Sequence, residues 1–255
     1  MPQVVSARPL GQLPEVRPGD DLAALLLAAN DGRPFAADDV LVLSHKVVSK
    51  AEGRVELLAA VTPSIEAFAV NAQAGRDDAR LVELILRESV EVIRAERGVL
   101  ICRTHHGFVC ANAGVDQSNA GGEDRCVLLP EDPDASARSL RAALPGHPAV
   151  LIADSFGRAW RHGECDVAIG AAGLVPLDDR RGGTDRDGRE LQVSSIAIAD
   201  QAAAAADLAR GGKASGLPAV VLTGLAAHVT ADHGPGVAAL LRARADDLFG
   251  GASAG

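Results

Sequence analysis

Two acidic residues stand out by what surrounds them. Asp116 follows the apolar run Phe108-Val109-Cys110-Ala111 inside a glycine-flanked turn, Gly114-Val115-Asp116-Gln117-Ser118-Asn119. Asp154 follows Val150-Leu151-Ile152-Ala153 and is followed by Ser155. Both runs read as buried strands. Each carboxylate is therefore expected where a strand gives way to a loop, a common place for functional groups. Two such carboxylates, one backed by a hydroxyl and one by an amide, form the oxygen donor set that hard divalent cations take. The ordinary alternatives are an Asx-turn at Asp116 and a helix cap at Asp154.

Basic and hydroxyl groups cluster in Ser44-His45-Lys46-Val47-Val48-Ser49-Lys50, just past the apolar strand Val40-Leu41-Val42-Leu43. Lysine supplies a point charge and serine a donor, a combination suited to phosphate oxygens. Solvated lysines are the plain alternative. The stretch is not a Walker A loop, and Gly211-Gly212-Lys213-Ala214 lacks the hydroxyl that such a loop needs. After Asp154 come Arg158, Trp160 and Arg161. The arginines could hold carboxylate or phosphate in bidentate fashion, and the indole could stack a planar ligand or simply fill the core. Asp200 reads as a helix N-cap, and Gln201 beside it offers an oxygen to a metal or an N–H to phosphate at a helix N-terminus. His105 and His106 are adjacent, so their side chains diverge and do not readily share one ion.

The elements that would position these groups follow from apolar patterning. Leu13-Pro14-Glu15-Val16-Arg17-Pro18-Gly19-Asp20 is stiffened by two prolines, and is either a connector or a rigid edge that offers backbone groups to a ligand. Asp20 is expected to cap a helix that ends near Asp31-Gly32. Residues 77–96 read as the longest helix, with Leu81, Leu84, Ile85, Val92 and Ile93 on one stripe. Residues 99–102 and 108–111 read as a hairpin, 126–129 as a strand, and 133–144 as a helix stopped by Pro145-Gly146. The Gly-, Asp- and Arg-rich residues 170–188 read as a lid or a dimer-contact loop. Residues 193–199 read as a strand, 202–209 as a helix, and 219–222 as the last core strand. Gly234-Pro235-Gly236-Val237-Ala238-Ala239 fits a dinucleotide-binding pattern on paper. It lacks a leading strand and enough following chain, so we reject it.

The chain of 255 residues can bury a sizeable core. Its 47% hydrophobic and 23% charged residues mark it as globular. A net charge of -9, no Tyr, 1 Trp and 5 Phe argue against a nucleic-acid partner. No apolar run is long enough to span a bilayer, and the N-terminus lacks a secretory pattern. The 4 cysteines have no C-x-x-C spacing and read as buried thiols of a cytoplasmic protein. One catalytic domain over residues 1–249, with two subdomains as an option, and a flexible tail over 250–255 are expected.

Taken in order, five stretches resemble the coenzyme F-420-0:gamma-glutamyl ligase family. They are the 13–20 loop, the 44–54 lysine-serine stretch, the turn around Asp116, the residues from Asp154 to Gly163, and Asp166 to Leu174. The resemblance covers nearly the whole chain and implies an α+β, non-P-loop fold with mixed and antiparallel sheets and flanking helices. It implies a homodimer with its active site near the subunit interface, and addition of L-glutamate to a deazaflavin coenzyme with GTP. By motif position it places Leu13, Pro14, Glu15, Val16, Ser44, Lys50 and Asn119 at GTP. It gives one divalent cation (Mg²⁺ or Mn²⁺) to Asp116 and Asp154, a second to Ser155 and Gln201, and leaves K⁺ as a further candidate ion. Lys50 is expected to assist as a fixed cation, Lys46 to matter less, and Arg158 and Arg161 to hold the anionic substrates. His45 receives no role. Two other readings stay open on the residues alone, a metal-dependent nucleotide phosphohydrolase and a non-catalytic GTP-sensing domain.

Overall fold

The computed structural model describes residues 4–247. The tail expected from residue 250 lies outside the described residues. The elements in chain order are β1 (Ser6–Pro9), α1 (Leu22–Ala29), β2 (Val40–Ser44), α2 (His45–Ala51), β3 (Val55–Leu57), α3 (Ile65–Ala74), α4 (Ala79–Arg87), β4 (Ser89–Glu96) and β5 (Val99–Thr104). There follow β6 (Val109–Ala111), β7 (Arg125–Val127), α5 (Pro133–Ala143), β8 (Ala149–Arg158), β9 (Arg161–Ala172), β10 (Leu177–Asp179), β11 (Ser195–Ala197), α6 (Ile198–Arg210) and β12 (Ala219–Thr223). The fold is α+β, with mixed and antiparallel sheets and flanking helices.

The largest sheet has five strands in the order β1-β12-β2-β8-β9. β2 and β8 run parallel, with Ser44 opposite Ala153, and the other neighbours in this sheet are antiparallel. β2 is apolar throughout because both of its faces are covered; Val40, Leu41, Val42 and Leu43 are fully buried. One apolar cluster surrounds this sheet, with Leu26, Leu151 and Ile152 among its members. A second gathers Leu58, Leu84, Ile85 and Leu100 beside the three-stranded β4-β5-β6 sheet. No helix among the described residues is long and apolar enough to cross a membrane.

Several local expectations are corrected. The long helix expected over 77–96 is two elements: α4 ends at Arg87, and β4 pairs antiparallel with β5. No glycine or proline marks the break, and the irregular pairing of β4, with two register shifts, hides the two-residue alternation of a strand. Asp21 rather than Asp20 caps α1, accepting from the Ala24 N–H, while Asp20 accepts from the Arg17 N–H. β8 does not stop before Asp154. It runs on to Arg158 and folds back as β9, so Asp154 and Ser155 sit within a strand. α6 begins at Ile198, which puts Asp200 in the first turn rather than at the cap. Trp160 is not core: it is 80% exposed at the tip of the β8–β9 hairpin.

Candidate active site

The parallel β2–β8 pair brings the carboxyl end of β2 beside the middle of β8. Ligands of open sheets lodge past such strand ends. Here the two strands deliver Ser44 and Asp154 to one cleft of about 530 Å³. The cleft is also lined by Leu13, Pro14, Glu15 and Val16 on one side and by Asp116 and Asn119 on another. The segment 212–218, which links α6 to β12, closes a further side. All seven residues expected at GTP line this cleft, together with Asp116, Asp154 and Ser155.

α2 is a helix, so Lys46 and Lys50 lie one turn apart on the same face. Lys50 Nζ contacts Glu15 Oε1 at 2.5 Å. Lys46 also lines the cleft. Its ammonium donates to Asp116 Oδ2 at 2.6 Å, to Ser118 Oγ at 2.5 Å and to the Ser118 carbonyl at 2.7 Å. Asp116 Oδ1 accepts from the Ser118 N–H at 2.7 Å, and the Asp116 backbone is pinned to Val127 by a bridge in both directions. Burial raises the pKa of the Asp116 carboxyl, but the bonds from Lys46 and Ser118 outweigh it and hold the pKa below the usual carboxylate value. Asn119, held at a positive φ of 54°, donates through its amide to the Lys213 carbonyl and ties the Asp116 loop to the segment after α6.

On the opposite wall, Ser155 Oγ donates to Asp166 Oδ1 at 2.6 Å, and Arg210 holds Asp166 Oδ2 at 2.8 Å. Asp166 is 1% exposed, so this pairing is what makes its charge tolerable there. Neighbours on a strand normally face opposite sides. Asp154 and Ser155 both reach the cleft next to a register shift at Ile152–Ala153, the kind of irregularity that re-aims side chains. Asp166, Arg210 and the buried His45 receive no role from the sequence, although Asp166 and His45 lie inside stretches that carry the resemblance. The pairing of β8 with β9 and the docking of α6 bring Asp166 and Arg210 together, and the β2–β8 register sets His45 against Asp154.

Three of the expected residues lie elsewhere. Gln201 is exposed on α6 and does not line the cleft. Arg158 and Arg161 stand at the hairpin tip, where the Arg158 guanidinium donates to the His162 carbonyl at 2.7 Å. His105 and His106 each place Nε2 against backbone carbonyls, which accounts for the pair without an ion.

The donor chemistry of the cleft suits hard cations. Six carboxylates line it (Glu15, Asp116, Asp154, Glu164, Asp166 and Asp207) against the cationic Lys46, Lys50, Arg210 and Lys213. A polyphosphate would enter a negative field unless divalent ions came with it. No ready-made group of three His, Cys, Asp or Glu ligands exists among the described residues. An ion here would have to complete its shell with hydroxyl, water or substrate oxygens, as Mg²⁺ does.

Residues 11–224 match the family model described as F420-0:Gamma-glutamyl ligase. The chain is 43% identical over 246 residues to the coenzyme F420:L-glutamate ligase of Methanothermobacter thermautotrophicus, covering 94% of this chain and 96% of that protein. It is 42% identical over 240 residues to the enzyme so named from Methanopyrus kandleri, covering 92% and 93% of the two chains. With that of Natronomonas pharaonis it shares 45% over 215 residues, 82% of each chain. The segments that build the cleft from Leu13 to Pro218 all fall within the matched residues, and the chain belongs to the F420-0:gamma-glutamyl ligase family.

Proposed function

We propose that this chain is a GTP-dependent ligase that joins L-glutamate to the deazaflavin coenzyme F420-0 through an acyl phosphate, giving a γ-glutamyl amide, GDP and phosphate. The observation that carries the proposal is the single cleft in which the lysines of α2, the 13–16 edge and the Asp116 and Asp154 carboxylates meet. The relatives named as glutamate ligases supply the reaction class.

Hydroxide is a poor leaving group, so the coenzyme carboxylate must first be activated. In this reading its oxygen attacks the γ-phosphorus, the bond from γ-phosphorus to the bridging oxygen breaks, and GDP leaves. The glutamate amine, its proton passed to water or phosphate, then attacks the acyl carbon; the C–N bond forms as the acyl C–O bond breaks and phosphate departs. Lys50 and Lys46 place positive charge against the phosphates, and the stiff 13–16 edge offers backbone groups to the nucleotide. Divalent ions at Asp116, Asp154 and Ser155 would supply charge neutralisation of the triphosphate. Further oxygen ligands are to be sought at Glu164 and Asp207, which line the same cleft, rather than at Gln201. A homodimer belongs to the same proposal: Arg158 and Arg161, at the hairpin tip and not among the residues that line the cleft, would hold anionic substrates at a partner's cleft.

Coupling tests the proposal. With GTP and Mn²⁺ present, GDP release should require both the coenzyme and glutamate. Equal GDP release with both omitted would favour a phosphohydrolase, and tight GTP binding with no turnover would favour a sensing domain.

A further inference from the structure

His45 opens α2 and is 1% exposed, yet neither the resemblance nor the proposed chemistry gives it a task. Its Nδ1 lies 3.2 Å from the Ser49 Oγ, one helical turn on, and Ser49 is fully buried. Its Nε2 is buried without a formed hydrogen bond and faces Asp154 Oδ1 at 3.3 Å. A carboxylate can only accept, so the nitrogen that faces it is the one that carries hydrogen. Nδ1 is then free to accept from Ser49, and the ring is fixed from behind.

The rest of the geometry concerns the same oxygen. Asp154 Oδ1 also takes the Ser155 N–H at 2.8 Å. The Ser155 N–H and the facing His45 Nε2 both lie against Oδ1, and among the described residues no hydrogen bond is seen to Oδ2. The parallel register ends with Ser44 opposite Ala153, so His45, the first residue of α2, and Asp154 each follow directly on the last paired residues of the two strands. We propose that His45 is a positioning residue that holds Oδ1 of Asp154, so that Oδ2 is presented to a divalent cation in the cleft. The inference rests on reading Asp154 as a cation ligand. Partners of this kind, one step behind a ligand, typically change metal affinity 10- to 100-fold when removed.

The experiment titrates the full chain with Mn²⁺ alone, without nucleotide, and reads free Mn²⁺ by electron paramagnetic resonance. His45→Phe keeps a ring but removes the donor, while His45→Gln returns an N–H near the Nε2 position. We expect His45→Phe to weaken Mn²⁺ binding about 10- to 100-fold. His45→Gln should bind close to the parent, and Asp154→Asn should lose the site. The inference is overturned if His45→Phe binds as the parent does while Asp154→Asn is defective. It is also overturned if the Phe and Gln variants lose affinity equally, since ring volume would then be what matters. If the parent binds no Mn²⁺, or Asp154→Asn binds as well as the parent, the cation reading of Asp154 fails and the inference falls with it. Should His45→Phe not fold, Ser49→Ala takes its place; a smaller loss in the same direction is expected, and unchanged binding overturns the inference.

Discussion

Replacing Lys46 by Met keeps the aliphatic stem and removes only the ammonium. That ammonium makes three contacts, to Asp116 Oδ2, Ser118 Oγ and the Ser118 carbonyl. A hydrogen bond to a charged partner is worth about 1.5–3 kcal/mol. The Asp116 side chain is 32% exposed, so water recovers part of the loss, and a net cost of about 1–2 kcal/mol is expected. For a chain of this size that cost lowers the melting temperature by roughly 2–8 °C. The assay is a circular-dichroism melt in metal-free buffer at neutral pH, repeated for Asp116→Asn and for the double variant. The double variant should recover on the order of 1 kcal/mol relative to the sum of the singles. The effect should also depend on pH. The pKa of Asp116 is lowered on folding, so its ion-pair stability is complete above the unfolded value of about 3.9. That stability fades as pH falls below it through the lowered folded value. The gap between parent and Lys46→Met should therefore be full at pH 7 and narrow at about pH 3. An unchanged melt for Lys46→Met, or strict additivity with Asp116→Asn, would refute the reasoning.

Lys50→Ala should raise the apparent KM for GTP by about 10- to 100-fold and change that for glutamate much less, because one charge-assisted contact is lost; equal small effects on both substrates would withdraw Lys50 from the site. Burial pushes the Cys110 thiol up to about 12 and the Cys126 thiol up to about 11, while Cys165 is only half-buried. Mass spectrometry after brief alkylation at pH 8 should find Cys165 modified first and those two only after denaturation. Gly170 lies in β9 where an added Cβ would come within 2.4 Å of the Pro133 carbonyl oxygen. Gly170→Ala should cost about 1–3 kcal/mol in urea unfolding, whereas Gly157→Ala, with open space at that position, should cost far less.

Much of this architecture can be read from residue patterns, for identifiable reasons. The strands at Val40 and Ala219 are apolar runs bounded by polar residues or proline, and burial on both faces leaves no competing pattern. The 13–16 edge, Asp116 and Asp154 announce themselves through proline, glycine and carboxylate placement. Continuation of β8 through Asp154 is harder to see, because its partner β9 supplies the pairing from outside the segment. Residues 89–96 mislead for a related reason: Val92 and Ile93 fit a helical stripe until their segment pairs with β5. Three residues in or behind the cleft are brought to their partners only by tertiary structure. Asp166 looks like any strand acid until Ser155 and Arg210 meet it, Arg210 looks like a helix-end cation, and His45 faces Asp154 only through the β2–β8 register. Gln201 shows the converse, since a polar residue near a helix start reads as a ligand until the helix turns it to solvent.

The central claim is that this cleft forms an amide bond at the expense of GTP. Mass spectrometry of the deazaflavin after incubation with GTP, Mn²⁺ and L-glutamate tests it most directly. The account predicts a coenzyme heavier by whole glutamyl residues, with one GDP and one phosphate released for each residue added, and no product when Asp116→Asn or Asp154→Asn replaces the parent. A coenzyme of unchanged mass alongside continued GDP release would contradict it.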